Sequence, residues 1–354
     1  MTFKAAVVGA SGFAGAELMR LLTVHPDFVL LYAVSDSHAG KPVALEYSSF
    51  VGRTELCFTA RSDVDWKKVD VAFLAVPHKA SMALSPQLID EGVTVIDLSA
   101  DFRLSDPDVF EDYYETPHIA KDLLERSFFG LPELLPESIE EAHECHGRGD
   151  AVLVACAGCY PTASSLAAVP AIRAGMVADG SPIIVDAISG VTGAGRTPSS
   201  RTHFCNANEN LSVYSLLTHR HTPEMEQIMG GSHQVLFTPH LAPLNRGILS
   251  TVTMQADPEA DVADATIQAL YADFYSDSNF VHVLVGDMTP QTSAVCGTND
   301  AQIVARYSAR TNTILAICAI DNLCKGAAGQ AVQCANIVFG LGERSGLESM
   351  ALPV

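Results

Sequence analysis

Near its start the chain reads Phe3-Lys4-Ala5-Ala6-Val7-Val8-Gly9-Ala10-Ser11-Gly12-Phe13-Ala14-Gly15, an apolar strand that runs into a glycine-rich turn and then a helix. Glycines at 9, 12 and 15 permit a tight turn, backbone approach to a pyrophosphate and close helix–strand packing. A tight turn that binds nothing would use the same residues, so the triplet alone is weak. Its surroundings strengthen it. Apolar residues at helical spacing follow over 13–23 (Leu18, Leu21, Leu22), and a second strand is predicted at 28–34. Strands at 71–76 and 93–98 flank a helix at 82–89. This alternation predicts an α/β unit with a Rossmann-like, doubly wound parallel sheet.

The texture changes after Cys159. Strands are predicted at 182–188, 234–237, 248–255, 280–285, 303–308 and 313–320, with one long helix at 262–275 among them. Runs of strands with few helices predict a second, α+β domain on a mixed sheet. Ala309-Arg310-Thr311-Asn312 is expected to turn the last hairpin, and 325–339 to be helical. The polar stretch 136–150 is expected to be a surface excursion.

A chain of 354 residues has room for two cores, and 48% hydrophobic with 18% charged residues describes a globular protein. The formal net charge of −20 disfavours nucleic acid and anionic membranes as partners. No apolar run is long enough to span a bilayer, and with Met1-Thr2-Phe3-Lys4 running into the first strand no signal peptide is expected. Nine cysteines without framework spacing suit a reducing compartment, so a cytoplasmic protein is expected.

Cys159 lies in Gly158-Cys159-Tyr160-Pro161-Thr162, between the apolar run Val152-Leu153-Val154 and an alanine-rich segment. Proline at a first helical position predicts a helix from Pro161 to about Ala174, its positive end facing the thiol. Such a field favours the thiolate and steadies an oxyanion formed when sulfur attacks a carbonyl. A buried structural cysteine is the competing reading. In His219-Arg220-His221-Thr222-Pro223-Glu224, Thr222 is expected to cap a short helix. His221 would stand at its entrance as a proton donor or acceptor, oriented by Glu224. His219 alone suits a structural role. Ser189-Gly190-Val191-Thr192-Gly193-Ala194-Gly195-Arg196 is either a backbone nest for phosphate or carboxylate oxygens or a flexible loop. After the second strand, Asp36 favours NAD, whereas Ser35, Ser37 and Lys41 tip the balance to NADP. His143, Cys145 and His146 lack further ligands nearby, so no metal is expected.

Together with Asp97 to Arg103, Phe237 to Leu241 and Asp321 to Gln330, these motifs span nearly the whole chain. On them it resembles the N-acetyl-gamma-glutamyl-phosphate reductase family of the semialdehyde dehydrogenase superfamily. The resemblance implies reduction of a small-molecule acyl phosphate with NADP(H) in arginine biosynthesis, with Cys159 as nucleophile and His221 as acid/base beside Glu224. It implies cofactor contacts from Gly9, Ser11, Gly12, Phe13, Gly15, Ser35, Ser37, Lys41, Pro77, Asn322, Lys325 and Gly326. Arg103, Ser189, Gly190, Gly193, Arg196 and His219 form the implied substrate set. The C-terminal helix is implied to return to the first domain, giving residues 1–157 with 322–354 for the dinucleotide and 158–321 for catalysis and oligomerisation. A homodimer or tetramer is expected. Two positions depart from the family: Ala157 where proline is usual, and Lys79 where glycine follows Pro77-His78. Aspartate-semialdehyde dehydrogenase and a non-catalytic dinucleotide sensor remain as alternatives.

Overall fold

The computed structural model describes residues 2–353. The chain divides into two compact units, the first running up to Ala157 and including Ala327–Glu348, the second formed mainly by Gly158–Gly326.

The first unit is built on seven strands: β1 (Phe3–Val8), β2 (Phe28–Val34), β3 (Phe58–Thr59), β4 (Val71–Leu74), β5 (Thr94–Asp97), β6 (Phe128–Gly130) and β7 (Leu153–Cys156). They lie in the order β3-β2-β1-β4-β5-β7-β6, all parallel. β4, β5 and β7 are buried at every position, as strands covered on both faces must be. The strand order reverses beside β1, and the turn after β1 stands at that switch point, where open α/β sheets take their ligands. There Gly9 has φ +83°, and a Cβ on it would lie 2.2 Å from the Ala75 carbonyl oxygen. A Cβ on Gly15 would lie equally close, 2.2 Å, to the Gly9 carbonyl oxygen.

Three local findings refine the sequence reading of this unit. The polar stretch 136–150 is no loose excursion; Pro136–Gly147 is a helix burying Ile139 and Ala142. Its His143 Nδ1–H donates to Val338 O at 3.0 Å, and the His146 ring lies 4.3 Å from that of Phe339. The partners come from the C-terminal segment, far along the chain, so local composition could not reveal them. Lys79 has φ +78°, the left-handed region that the usual glycine there enters without penalty, and its N–H donates to Asp101 Oδ1 at 2.8 Å. Asp97 is fully buried, accepts from Ser99 N–H and Oγ–H, and burial pushes its carboxyl up to about 6.

The second unit carries β8 (Ile183–Gly190), β9 (Ser212–Val213), β10 (Val235–Ala242), β11 (Ile248–Gln255), β12 (Val281–Val283), β13 (Ala301–Ser308) and β14 (Thr313–Ile320). Their order is β12-β13-β14-β11-β8-β10-β9, and the sheet is mixed, with β8–β10 and β12–β13 parallel and the other pairs antiparallel. Alternate residues of β11 are buried, the mark of a sheet with one well-covered face. The Cys159–Arg173 helix packs on β11 and β14 and is buried from Tyr160 to Ala171. The Asp264–Phe274 helix lies beside it, and the Tyr271 and Tyr275 hydroxyls donate to the Ala167 and Leu166 carbonyls. This helix is thereby wedged on two sides, which fixes where its first residue stands. No helix among the described residues is long and apolar enough to cross a membrane.

Candidate active site

The helix begins at Cys159, not at Pro161. Gly158 is extended (φ −68°, ψ 159°), and its carbonyl already accepts the Thr162 N–H at 2.8 Å. Pro161 therefore sits within the first turn, where its missing N–H removes no helical bond. The thiol thus stands among the first-turn amides rather than in front of them, within reach of the helix's positive end.

Two elements of the second unit hold that residue in place. Gly158 N–H donates to Glu224 Oε1 at 2.7 Å, so the buried Glu224 carboxylate pins the peptide that leads into Cys159. From the other side comes Gly326, where a Cβ would lie 2.7 Å from the Cys159 Cβ. Only glycine allows that approach. Gly326 belongs to a π-helical turn, Cys324–Ala328, a geometry that recurs at functional sites. Buried Asp321 organises the turn: its carboxylate accepts Leu323, Cys324 and Gly297 N–H groups and pairs with Arg246 Nε at 2.9 Å.

His221 occupies the cap position of the Thr222–Ile228 helix; Thr222, expected there, is its first residue. The His221 N–H donates to His219 Nδ1 at 3.1 Å. An accepting Nδ1 is unprotonated, so the His219 proton sits on Nε2. Burial, with the Arg220 charge adding, pushes His219 down to about 4 and keeps it neutral near pH 7. Its ring centroid lies 4.9 Å from His221, 5.1 Å from Phe237, 5.4 Å from Tyr214 and 5.6 Å from Tyr160. The Tyr214 hydroxyl donates to that of Tyr160 at 3.0 Å, and Tyr160 donates to His240 O at 3.2 Å. Burial holds both phenols protonated, with Tyr214 pushed up to about 12. The helix start that carries the thiol, through Tyr160 beside it, thus packs against the imidazole at the other helix start, with ring centroids 6.1 Å apart. Nucleophilic attack on a carbonyl and proton transfer to its oxygen are the chemistry such groups perform.

Ser189 to Arg196 leaves β8 through a 3-10 turn, Val191–Ala194. Ser189 is buried with its hydroxyl on the Gly190 carbonyl, and a Cβ on Gly190 would meet the Asn245 and Arg246 backbone at 2.9 Å. Gly193 lies over Ser189 Oγ, while Arg196 is exposed. Asn322 bridges this loop to the next, accepting from Gly247 N–H at 2.7 Å and donating to Thr192 Oγ1 at 3.1 Å. Lys325 is fully buried with its ammonium 5.7 Å from the Phe280 ring centroid, a core position.

In the first unit, Arg103 Nε and Nη2 donate to Cys156 and Leu98 carbonyls at 2.9 and 2.7 Å, bracing the ends of β7 and β5. Ser11 Oγ lies 2.8 Å from Ser35 Oγ, which lies 3.4 Å from Ser37 Oγ; Lys41 and Pro77 are exposed. Gly12 and Phe13 begin the first helix. Gly9 and Gly15 let the turn, the Ala75 backbone and the first helix approach at backbone distance, and the turn lies at the switch point of the sheet, where first-helix amides suit a dinucleotide pyrophosphate. Sequence reasoning missed Tyr214, Arg201, whose guanidinium lies 5.2 Å from the Tyr214 ring centroid, and the Arg246–Asp321 pair. Arg246 had one available signal, its place before Gly247 at a strand entrance; Tyr214 had none.

Comparison with known proteins places this arrangement. The chain is 42% identical over 354 residues, 99% of both chains, to the N-acetyl-gamma-glutamyl-phosphate reductase of Alkaliphilus metalliredigens. It is 39% identical to that of Neisseria meningitidis, covering 99% of this chain and 98% of the relative. The chain belongs to the N-acetyl-gamma-glutamyl-phosphate reductase family. Within it, residues 4–142 match the semialdehyde dehydrogenase NAD binding domain and residues 159–322 the semialdehyde dehydrogenase dimerisation domain. The fold is also that of more distant solved structures. Aspartate semialdehyde dehydrogenase II of Vibrio cholerae aligns with TM-score 0.72 at 19% identity, covering 96% of this chain and 98% of that one. The Candida albicans aspartate semialdehyde dehydrogenase with NADP aligns with TM-score 0.71 at 14% identity, over the same shares of 96% and 98%. For this reductase family member, the second match begins at the residue that starts the cysteine helix.

Proposed function

We propose that the chain reduces N-acetyl-L-glutamyl 5-phosphate with NADPH, giving N-acetyl-L-glutamate 5-semialdehyde and inorganic phosphate, in arginine biosynthesis. The observation that carries the reading is Cys159 at the first position of a buried helix, clamped between Glu224 and Gly326.

The Cys159 thiolate attacks the acyl carbon, the carbon–oxygen bond to phosphate breaks, and a thioester forms. First-turn amides of the Cys159–Arg173 helix stabilise the oxyanion of each addition. The backbone of Gly9, Gly12 and Gly15, with Ser11, Ser35 and Ser37 at the ribose end, would hold NADPH, which when bound would supply the hydride that reduces the thioester. His221 protonates the oxygen that gains charge, then takes the hydroxyl proton back as the hemithioacetal releases aldehyde and thiolate. Neutral His219, holding the His221 backbone, keeps that imidazole in register. Arg196, Arg103 and the Ser189 to Gly193 loop are assigned to the substrate's anionic groups, and Lys325 and Asn322 to support of the turn bearing Gly326. A homodimer or tetramer in the cytoplasm accompanies this reading, supported by the dimerisation-domain match.

The test is the reverse reaction. N-acetylglutamate semialdehyde should reduce NADP only when phosphate is present, with NAD and aspartate semialdehyde as controls. Equal turnover of aspartate semialdehyde would remove the substrate assignment.

A further inference from the structure

At the end of β2 the sequence places an acid, Asp36, among hydroxyls, and an acid there ordinarily accepts the ribose hydroxyls of NAD. In the structure that carboxylate is committed elsewhere. Asp36 Oδ1 accepts the Arg61 N–H at 2.8 Å, and Asp36 lines a cavity of about 780 Å³ together with Arg61, Ser62, Trp66 and Gln87.

What joins the glycine turn instead is a cluster of hydroxyls closed by an imidazole. Ser11 Oγ meets Ser35 Oγ at 2.8 Å, Ser35 Oγ lies 3.4 Å from both Ser37 Oγ and His38 Nδ1, and Ser37 Oγ lies 2.9 Å from His38 Nδ1. His38 is held from behind by Glu46, whose Oε2 is 3.4 Å from Nε2, and by the Phe58 ring at 5.5 Å. Nε2 thus faces the Glu46 carboxylate, and Nδ1 is the ring atom turned toward the hydroxyl cluster. Lys41 is exposed, and its main chain brackets His38 through Lys41 N–H to His38 O at 3.0 Å.

We infer that His38 is the specificity-determining residue of the dinucleotide site, donating through Nδ1–H, with the Ser11, Ser35 and Ser37 hydroxyls, to a ribose 2′-phosphate. A phosphate dianion offers acceptors to all four groups, whereas a free 2′-hydroxyl offers one. The inference rests on the NADPH reading above and deepens it.

Fluorescence titration of the full-length protein with NADPH and with NADH tests it. His38→Ala should weaken NADPH about tenfold and leave NADH within about twofold, and His38→Arg should restore most of the NADPH affinity. The unchanged NADH constant shows in the same experiment that the variant is folded. An unaltered ratio in His38→Ala, an equal loss for both nucleotides, or a ratio that collapses only in Lys41→Ala overturns the assignment. Wild-type protein binding NADH as tightly as NADPH sinks the cofactor reading itself, a separate failure.

Discussion

The helices at Phe13–Thr23 and Cys159–Arg173 both begin after an extended glycine, Gly12 (φ −81°, ψ 169°) and Gly158 (φ −68°, ψ 159°), and neither has a side-chain cap. At neither start does a cap side chain compete for the positive end of the helix. What differs is the residue placed in the field. At the first helix, Gly9 and Gly15 let the turn close on the Ala75 backbone and the helix start, and the first turn opens with Phe13, which carries no reacting group. At the second, a thiol is mounted on the first turn and backed by Gly326, so a covalent bond can form there. On the proposed reading, one backbone device serves binding in one unit and nucleophilic chemistry in the other.

If that division holds, the largest effect comes from the sulfur. Cys159→Ser should lower turnover by at least about a thousandfold while NADPH titration is unchanged. A serine variant with near-native turnover would end the thioester account. The glycines behind each helix should then fail differently. Gly9→Ala places a Cβ 2.2 Å from the Ala75 oxygen at φ +83°, and should weaken NADPH at least about tenfold without altering the rate of Cys159 alkylation. Gly326→Ala pushes on the Cys159 Cβ from 2.7 Å, and should slow both alkylation and turnover about ten- to a hundredfold. Should both variants lose only nucleotide affinity, the two helix starts do not have separate tasks.

The contrast was largely visible in the residues. Strand–glycine–helix grammar is local, so the turn at Gly9, the alternation around it and the thiol after Gly158 could be found without any tertiary information. What escaped was set by long-range packing. The helix begins at Cys159 rather than Pro161 because Glu224 holds the preceding peptide, a bond between residues far apart in sequence. Pro136–Gly147 folds because His143 and His146 find Val338 and Phe339. Lys325, implied by the resemblance to contact the cofactor, is fully buried, which its sequence position does not reveal. Tyr214 carries no local pattern at all, and the Arg246–Asp321 pair joins residues far apart in sequence.

The two units should also respond to acid with opposite sign. His219 is pushed from 6.5 to about 4, so the unfolded chain binds the extra proton and this contribution, present above pH 6.5, is lost as pH falls toward 4. Asp97 is pushed from 3.8 to about 6, so the folded state binds the extra proton. Its contribution is present below pH 3.8 and lost as pH rises through 6. Each is on the order of 3 kcal/mol. Thermal unfolding of His219→Asn should flatten the loss of stability between pH 6.5 and 4, and Asp97→Asn should steepen it. Variants that move the profile in the same direction would contradict these protonation states.

The smallest effect lies at Lys79, where a side chain occupies backbone that suits glycine. With φ +78° its Cβ is crowded against its own main chain, and the conformation persists because the Lys79 and Met82 N–H groups both bond the Asp101 carboxylate, at 2.8 and 2.9 Å. Glycine would keep both bonds and relieve the crowding, while gaining freedom in the unfolded chain that offsets part of the benefit. Lys79→Gly should therefore stabilise the protein by about 0.5–1 kcal/mol, read as a higher urea midpoint at unchanged slope. A lower midpoint would mean that the lysine side chain contributes more to the first unit than its backbone costs.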